Sequence, residues 1–276
     1  RPPRSTLFPT TTLFRSLGEL CFPTGVDLCR RVLKAVDNPD LGFDALARIV
    51  VSEPLLSARL IGLANSIALN PYAQPVRDVK QALMRVGIEP VRTLAMTLLV
   101  DQFRQIQRHG ACRELANQLW ERSVHVAALA YVLARKLGAH DPDEAMFAGI
   151  VHDLGRFYLL ARAAEHPALL EDTALLADLL RELGERSGRL VLAALQLPAS
   201  VVLAVCDSQQ YSGTWPAAGL SDLLFVARSL SLRPDPLTIG QQNDAAASLG
   251  LDHGTVLDLI AASGDEIYSI VLALDS

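Results

Sequence analysis

From Pro23 onward, apolar residues recur at three- and four-residue spacings in stretches of helical length, with Gly, Pro or Asx signals roughly every ten to twenty-five residues. Val26, Leu28, Cys29, Val32, Leu33 and Val36 mark a first amphipathic helix, stopped by Asn38-Pro39. A second runs from Phe43 to Val51. Ser52-Glu-Pro54 reads as an N-cap with proline in the first turn, and opens a third helix to Asn65. Past the extended Asn70-Pro-Tyr-Ala-Gln-Pro75, Asp78 caps a short helix ending at Gly87, a residue suited to the left-handed conformation.

The same pattern predicts helices over Pro90–Gln107 and Cys112–Leu137. Asp141-Pro142-Asp143-Glu144 is a capping box with proline just inside it, so a helix begins near Pro142 and carries His152 and Asp153. Further helices are predicted at Ala168–Leu183, Arg186–Leu195, Pro198–Ser208 and Leu220–Ser231. A Pro234-Asp-Pro236 break then precedes a tail of two helices, Gly254–Ala261 and Gly264–Leu274. No strand alternation and no repeat emerges, so the expected fold class is all-α.

Composition agrees: half of the 276 residues are hydrophobic but only 5% are aromatic, a balance that favours helix packing. A net charge of −5, with no basic stripe, argues against nucleic acid as a partner. The apolar runs fall far short of the roughly 20 residues that span a bilayer, so no membrane partner is expected either. Cys21, Cys29, Cys112 and Cys206 are scattered without a metal-knuckle spacing and read as reduced thiols of a cytoplasmic protein. Residues 1–17 have neither helical nor strand periodicity; Thr6 to Ser16 looks like a translated sequencing adapter, so an artefactual or disordered leader is expected.

The chemistry concentrates in Ala148-Gly-Ile-Val-His-Asp-Leu-Gly-Arg156. On one continuous helix Ala148, His152 and Arg156 share a face, Gly149 leaves room for close approach, and Asp153 stands about 100° round. Among Ile150, Val151 and Leu154, the His152-Asp153 pair needs a hydrogen bond, an ion pair or a metal, because a bare buried carboxylate is strongly disfavoured. No phosphate-binding glycine loop, dinucleotide fingerprint or nucleophile elbow is present. Asn65, Ser66, Glu53 and Pro54 read as helix-end and interhelical devices, and Trp120 as a core anchor between two halves.

That block resembles the centre of the HD superfamily, in which His, an adjacent His-Asp and a distant Asp hold divalent metal for phosphate-ester hydrolysis. Ile49-Val-Val-Ser-Glu-Pro-Leu-Leu-Ser-Ala-Arg-Leu-Ile-Gly-Leu-Ala-Asn-Ser66 and Val79-Lys-Gln-Ala-Leu-Met-Arg-Val-Gly-Ile88 narrow the resemblance to the HDOD family of bacterial signalling domains. Leu119-Trp-Glu-Arg-Ser-Val-His-Val-Ala127 and Leu195-Gln-Leu-Pro198 resemble two further family blocks. The resemblance implies an HDOD-like domain over residues 18–232, divided into an N-terminal helical lobe (18–110) and an HD-like helical bundle (111–232), followed by a tail (233–276).

It also locates the ligand positions, and this chain departs from them. Where a catalytic member has His before Ser123, there is Arg122; a later His position falls on Gly184, a His-His pair on Ser208-Gln209, and the distant Asp on Arg228. Guanidinium groups donate no lone pair and repel cations. His152 and Asp153 therefore read as a vestigial site with no bound metal, no cofactor and no catalytic residue. Arg122 and Arg228 are expected to pair with Asp153, as a structural clamp or an anion pocket. The function implied is a non-catalytic signalling module that contacts receiver, kinase or cyclic-dinucleotide proteins in trans. The alternatives are a phosphohydrolase completed by His125, His166 or a carboxylate, or a nucleotide-binding regulator.

Overall fold

The computed structural model describes residues 26–275 except 39, 41, 73, 106–109, 214 and 239–252, so the leader and residues 18–25 lie outside the described residues. Every regular element among the described residues is a helix, as expected. The N-terminal part comprises α1 (Val26–Val36), α2 (Phe43–Val51), α3 (Pro54–Ala64), α4 (Val79–Val86) and α5 (Glu89–Gln105). α6 (Gly110–Leu137), α7 (Pro142–Val151), α8 (Leu154–Ala163), α9 (Pro167–Glu171), α10 (Thr173–Ala194), α11 (Ala199–Asp207) and α12 (Leu220–Ser229) follow. α13 (His253–Ala262) and α14 (Gly264–Asp275) form the tail.

Local signals set most of these boundaries. Asp78 caps α4 by accepting from the Gln81 amide at 2.9 Å, and Gly87 ends it at a φ of 84°. Asp141 accepts from the Asp143 and Glu144 amides at the start of α7, with Pro142 in its first turn. Asn65, just past α3, grips Val76 twice, donating to its carbonyl at 2.9 Å and accepting from its amide at 2.8 Å. This two-point bond closes the α3–α4 connection and gives Asn65 the interhelical role expected of it.

α5 is the axis of the molecule. Thirteen of its seventeen residues are buried, which no one-sided helix achieves. It packs on α1 and α3 on the N-terminal side and on α6, α7 and α8 on the other, so a single apolar core runs through both parts. α7 lies against α6, and the close approach expected at Gly149 is real: a Cβ there would fall 2.4 Å from the Ala127 Cα. α14 packs on both α3 and α6. Trp120 in α6 lies beneath the Arg104 guanidinium of α5, 5.4 Å from its ring, and donates its indole N–H to Asp275 of α14.

Two expectations fail. α10 is one helix of 22 residues where two were predicted, and Gly184 and Gly188 lie inside it. They face α8, where a Cβ on Gly155 would fall 2.1 Å from the Gly184 carbonyl oxygen and 2.3 Å from the Gly188 amide. The glycines permit backbone contact between α8 and α10 and do not terminate a helix. Conversely, the helix expected to run through His152 and Asp153 is broken there: His152 is the C-cap of α7 and Asp153 the N-cap of α8.

Candidate functional site

The break between α7 and α8 puts both residues at a joint. His152 donates from Nδ1 to the Gly149 carbonyl at 2.6 Å. A carbonyl only accepts, so Nδ1 carries the proton and, in the neutral ring, Nε2 is a bare lone pair. Burial pushes the imidazole below its ordinary value, against the pull of Asp153, so the neutral ring prevails. Nε2 lies 3.2 Å from the Asp153 Oδ2, and neither atom has a hydrogen bond. Two buried acceptors face each other.

Asp153 is answered from its other oxygen. The Arg156 guanidinium lies 3.1 Å from Oδ1 and at the same time donates to Asp235 at 3.0 Å. Asp235 comes from the segment after α12. Burial alone would raise the Asp153 carboxyl; Arg156, with Arg228 further off, overcomes it and holds the group well below the usual carboxylate range. Arg156 itself stays charged because the two carboxylates outweigh its own burial. Its stem fills the space over Gly184, where a Cβ would fall 2.9 Å from the Arg156 Cγ.

Of the other expected positions, Gly184, Gln209 and Arg228 converge on the same place, whereas Arg122 and Ser208 do not line it. His152, Asp153, Gly184, Gln209 and Arg228 all line one cavity of about 610 Å3 between α8, α10, α11 and α12. The expected pairing of Asp153 with Arg122 or Arg228, however, is not formed. Arg122 donates to the carbonyls of Arg233 at 2.9 Å and Arg228 at 3.2 Å, and Arg228 donates to the carbonyl and hydroxyl of Ser208 at 3.1 and 3.0 Å. Arg156 wins the carboxylate because it stands three residues on in the same helical turn, while the others must reach from separate helices. The signal was present in the sequence as that i,i+3 spacing. Asp235 had no such signal, since it lies between two prolines in what reads as a linker.

A catalytic metal does not fit these residues. His152 and Asp153 offer two donors, whereas hydrolytic sites use about three or four with an open position. Among the described residues no three His, Cys, Asp or Glu side chains stand together as a metal-binding group. His125 is turned away to the Ser231 hydroxyl at 3.0 Å, and His166 lies beyond the far end of α8, about 15 Å along its axis.

A family model for the HDOD domain matches residues 22–211. The chain belongs to the HDOD family. The match includes the whole of the α7–α8 joint and ends at residue 211, before α12. Among solved structures, a protein from Shewanella amazonensis, provisionally named a metal-dependent phosphohydrolase, superposes with a TM-score of 0.72 at 21% identity, covering 96% of this chain and 97% of its own. An HDOD domain protein of unknown function from Geobacter sulfurreducens gives 0.62 at 18% identity, with 96% and 97% covered. A provisionally named signal transduction protein from Marinobacter aquaeolei gives 0.62 at 20% identity, covering 97% of this chain and 66% of its own. These establish a shared HDOD fold. No curated protein matches the chain. Among the described residues, no helix is long and apolar enough to cross a membrane.

Proposed function

We propose that this HDOD chain is a non-catalytic signalling module that acts through contacts with other signalling proteins, receivers, kinases or cyclic-dinucleotide proteins among them. The observation that carries this reading is Arg156. Its guanidinium bridges Asp153 and Asp235, and its stem occupies the space above Gly184. A cation fixed covalently to the fold thus stands beside the one carboxylate that a metal would need. Such a site can hold helices together but has no group to generate a hydroxide nucleophile.

The rival is the activity for which the Shewanella structure is provisionally named. It requires a third donor beside His152 and Asp153, and a route past Arg156. Metal analysis of the purified protein decides between them, together with melting temperatures in EDTA and in manganese and an assay on a phosphodiester substrate. Metal-free protein, unchanged melting and no hydrolysis are expected. Stoichiometric iron or manganese with turnover would overturn the proposal. Affinity capture from the native host then identifies the partner.

A further inference from the structure

The segment that follows α12 is a strap that lines the cavity with Asp235 and Thr238 and is fastened from three helices. Arg122 of α6 holds the Arg233 carbonyl, His125 of α6 meets the Ser231 hydroxyl, and Arg181 of α10 donates to the Leu237 carbonyl at 3.2 Å. The fourth fastening differs in kind: Asp235 places a carboxylate, 12% exposed, against Arg156 inside the cavity. The strap thereby supplies an anion to a cavity whose walls carry four guanidiniums against three carboxylates, Asp235 being one of the three.

Among the described residues, one wall cation has no ion pair. Arg228 donates only to Ser208, and its Nε is buried without a partner. Beside it stand the two buried acceptors already described, His152 Nε2 and Asp153 Oδ2, which have no donor. Val205 and Phe225 add an apolar patch to the wall beside the polar Gln209 and Thr238, and Tyr211 stacks on Phe225 at 5.6 Å. At about 610 Å3 the space falls in the range of small-ligand sites.

We infer that Asp235 is a tethered stand-in for a ligand phosphate, and that the cavity binds a small phosphomonoester bearing a hydroxyl. The phosphate takes the place of the Asp235 carboxylate between Arg156 and Arg228, the hydroxyl donates to the free acceptors of His152 or Asp153, and the apolar part rests on Val205 and Phe225. A tethered carboxylate competes at high local concentration, so the displacing group needs more charge and more acceptor oxygens than a carboxylate has. A phosphate dianion has both and matches the planar forks of two arginines. Its entry frees Asp235 and loosens the strap.

This inference rests on the metal-free reading above, so the test runs on full-length, EDTA-treated protein of measured metal content. Inorganic phosphate and then adenosine and guanosine monophosphates are titrated by calorimetry against wild type, Asp235→Asn and Arg228→Gln. Removing the competing carboxylate in Asp235→Asn should tighten phosphate binding roughly tenfold, while Arg228→Gln should weaken it by at least about as much. A nucleotide that binds tighter than phosphate identifies the apolar patch as part of the site; phosphate alone binding as tightly limits the site to the free anion. Amide exchange over residues 231–238 should quicken when ligand is bound. Metal-free, folded wild type and Asp235→Asn that both ignore phosphate overturn this inference and leave the signalling role standing. Binding that Asp235→Asn does not tighten overturns it too. Stoichiometric metal overturns both.

Discussion

Replacing Arg156 by methionine tests the centre of the molecule, because it removes the bridging cation and keeps most of the stem that packs over Gly184. Asp153 and Asp235 are only 4% and 12% exposed, so they behave as buried charges and not as one half of a surface pair. Breaking a buried pair by deleting one partner costs about 3–5 kcal/mol, against about 0–1 kcal/mol at the surface. The pH dependence carries the sign. In the wild type the depressed Asp153 carboxyl adds stability that is complete above its unfolded value of about 3.9 and is lost as pH falls through the folded value. In Arg156→Met the nearest guanidinium is gone and burial dominates. The Asp153 pKa then rises, and the variant becomes relatively more stable as pH falls and the carboxyl takes up its proton. Urea denaturation should therefore show a deficit of about 3–5 kcal/mol at pH 7 that shrinks toward pH 4, and Arg156→Met/Asp153→Asn should recover a large part of it. A deficit under about 1 kcal/mol at pH 7, or one indifferent to pH, would refute the bridge as a buried, charge-coupled element.

Gly155→Ala should cost about 2–3 kcal/mol even after the roughly 1 kcal/mol gain in helix propensity, because backbone atoms of Gly184 and Gly188 cannot yield to the new Cβ. Gly264→Ala, with nothing within 4 Å of its Cβ, is the control, and equal melting temperatures for the two variants would dispose of the close-packing argument. Burial, aided by Asp141 and Glu89, pushes the Asp143 carboxyl up to about 6. Between its unfolded value and that one the folded protein binds the extra proton, so its contribution to stability falls as pH rises through this window. Asp143→Asn should flatten that slope and add about 1 kcal/mol at pH 7 once partial exposure is allowed for; an unchanged urea midpoint at pH 7 contradicts it. Asn65→Ala leaves the buried Val76 amide and carbonyl unpaired and should cost about 2 kcal/mol by the same assay, with a loss under about 0.5 kcal/mol counting against the clamp.

The helices were legible because their periodicity and caps are local facts. Asp78, Asp141 and Pro54 announce helix starts whatever packs above them. The misreadings came where tertiary packing outweighed a local signal. Gly184 and Gly188 look like a helix end until α8 is known to press its backbone on them. The run from Gly149 to Gly155 looks continuous because nothing in it is a strong breaker, and Asp153 caps α8 without a side-chain bond. The site was half legible. Counting from the HDOD blocks put Gly184, Gln209 and Arg228 around His152 and Asp153, and all five share a cavity. Which arginine takes the carboxylate depended on reach, which a list of substitutions does not contain. Asp235 depended on the path of a strap that sequence alone presents as a break.

The position of α5 has a consequence for dissecting the protein. A helix buried on nearly all sides belongs to neither lobe alone, and α14 fastens the two from outside. A cut between α5 and α6 would turn the inner face of that axis to solvent in whichever half retained it. The lobes are therefore a description of shape and not of autonomy: heating should melt them in one cooperative transition, and grafts between relatives should exchange the whole span from α1 to α14.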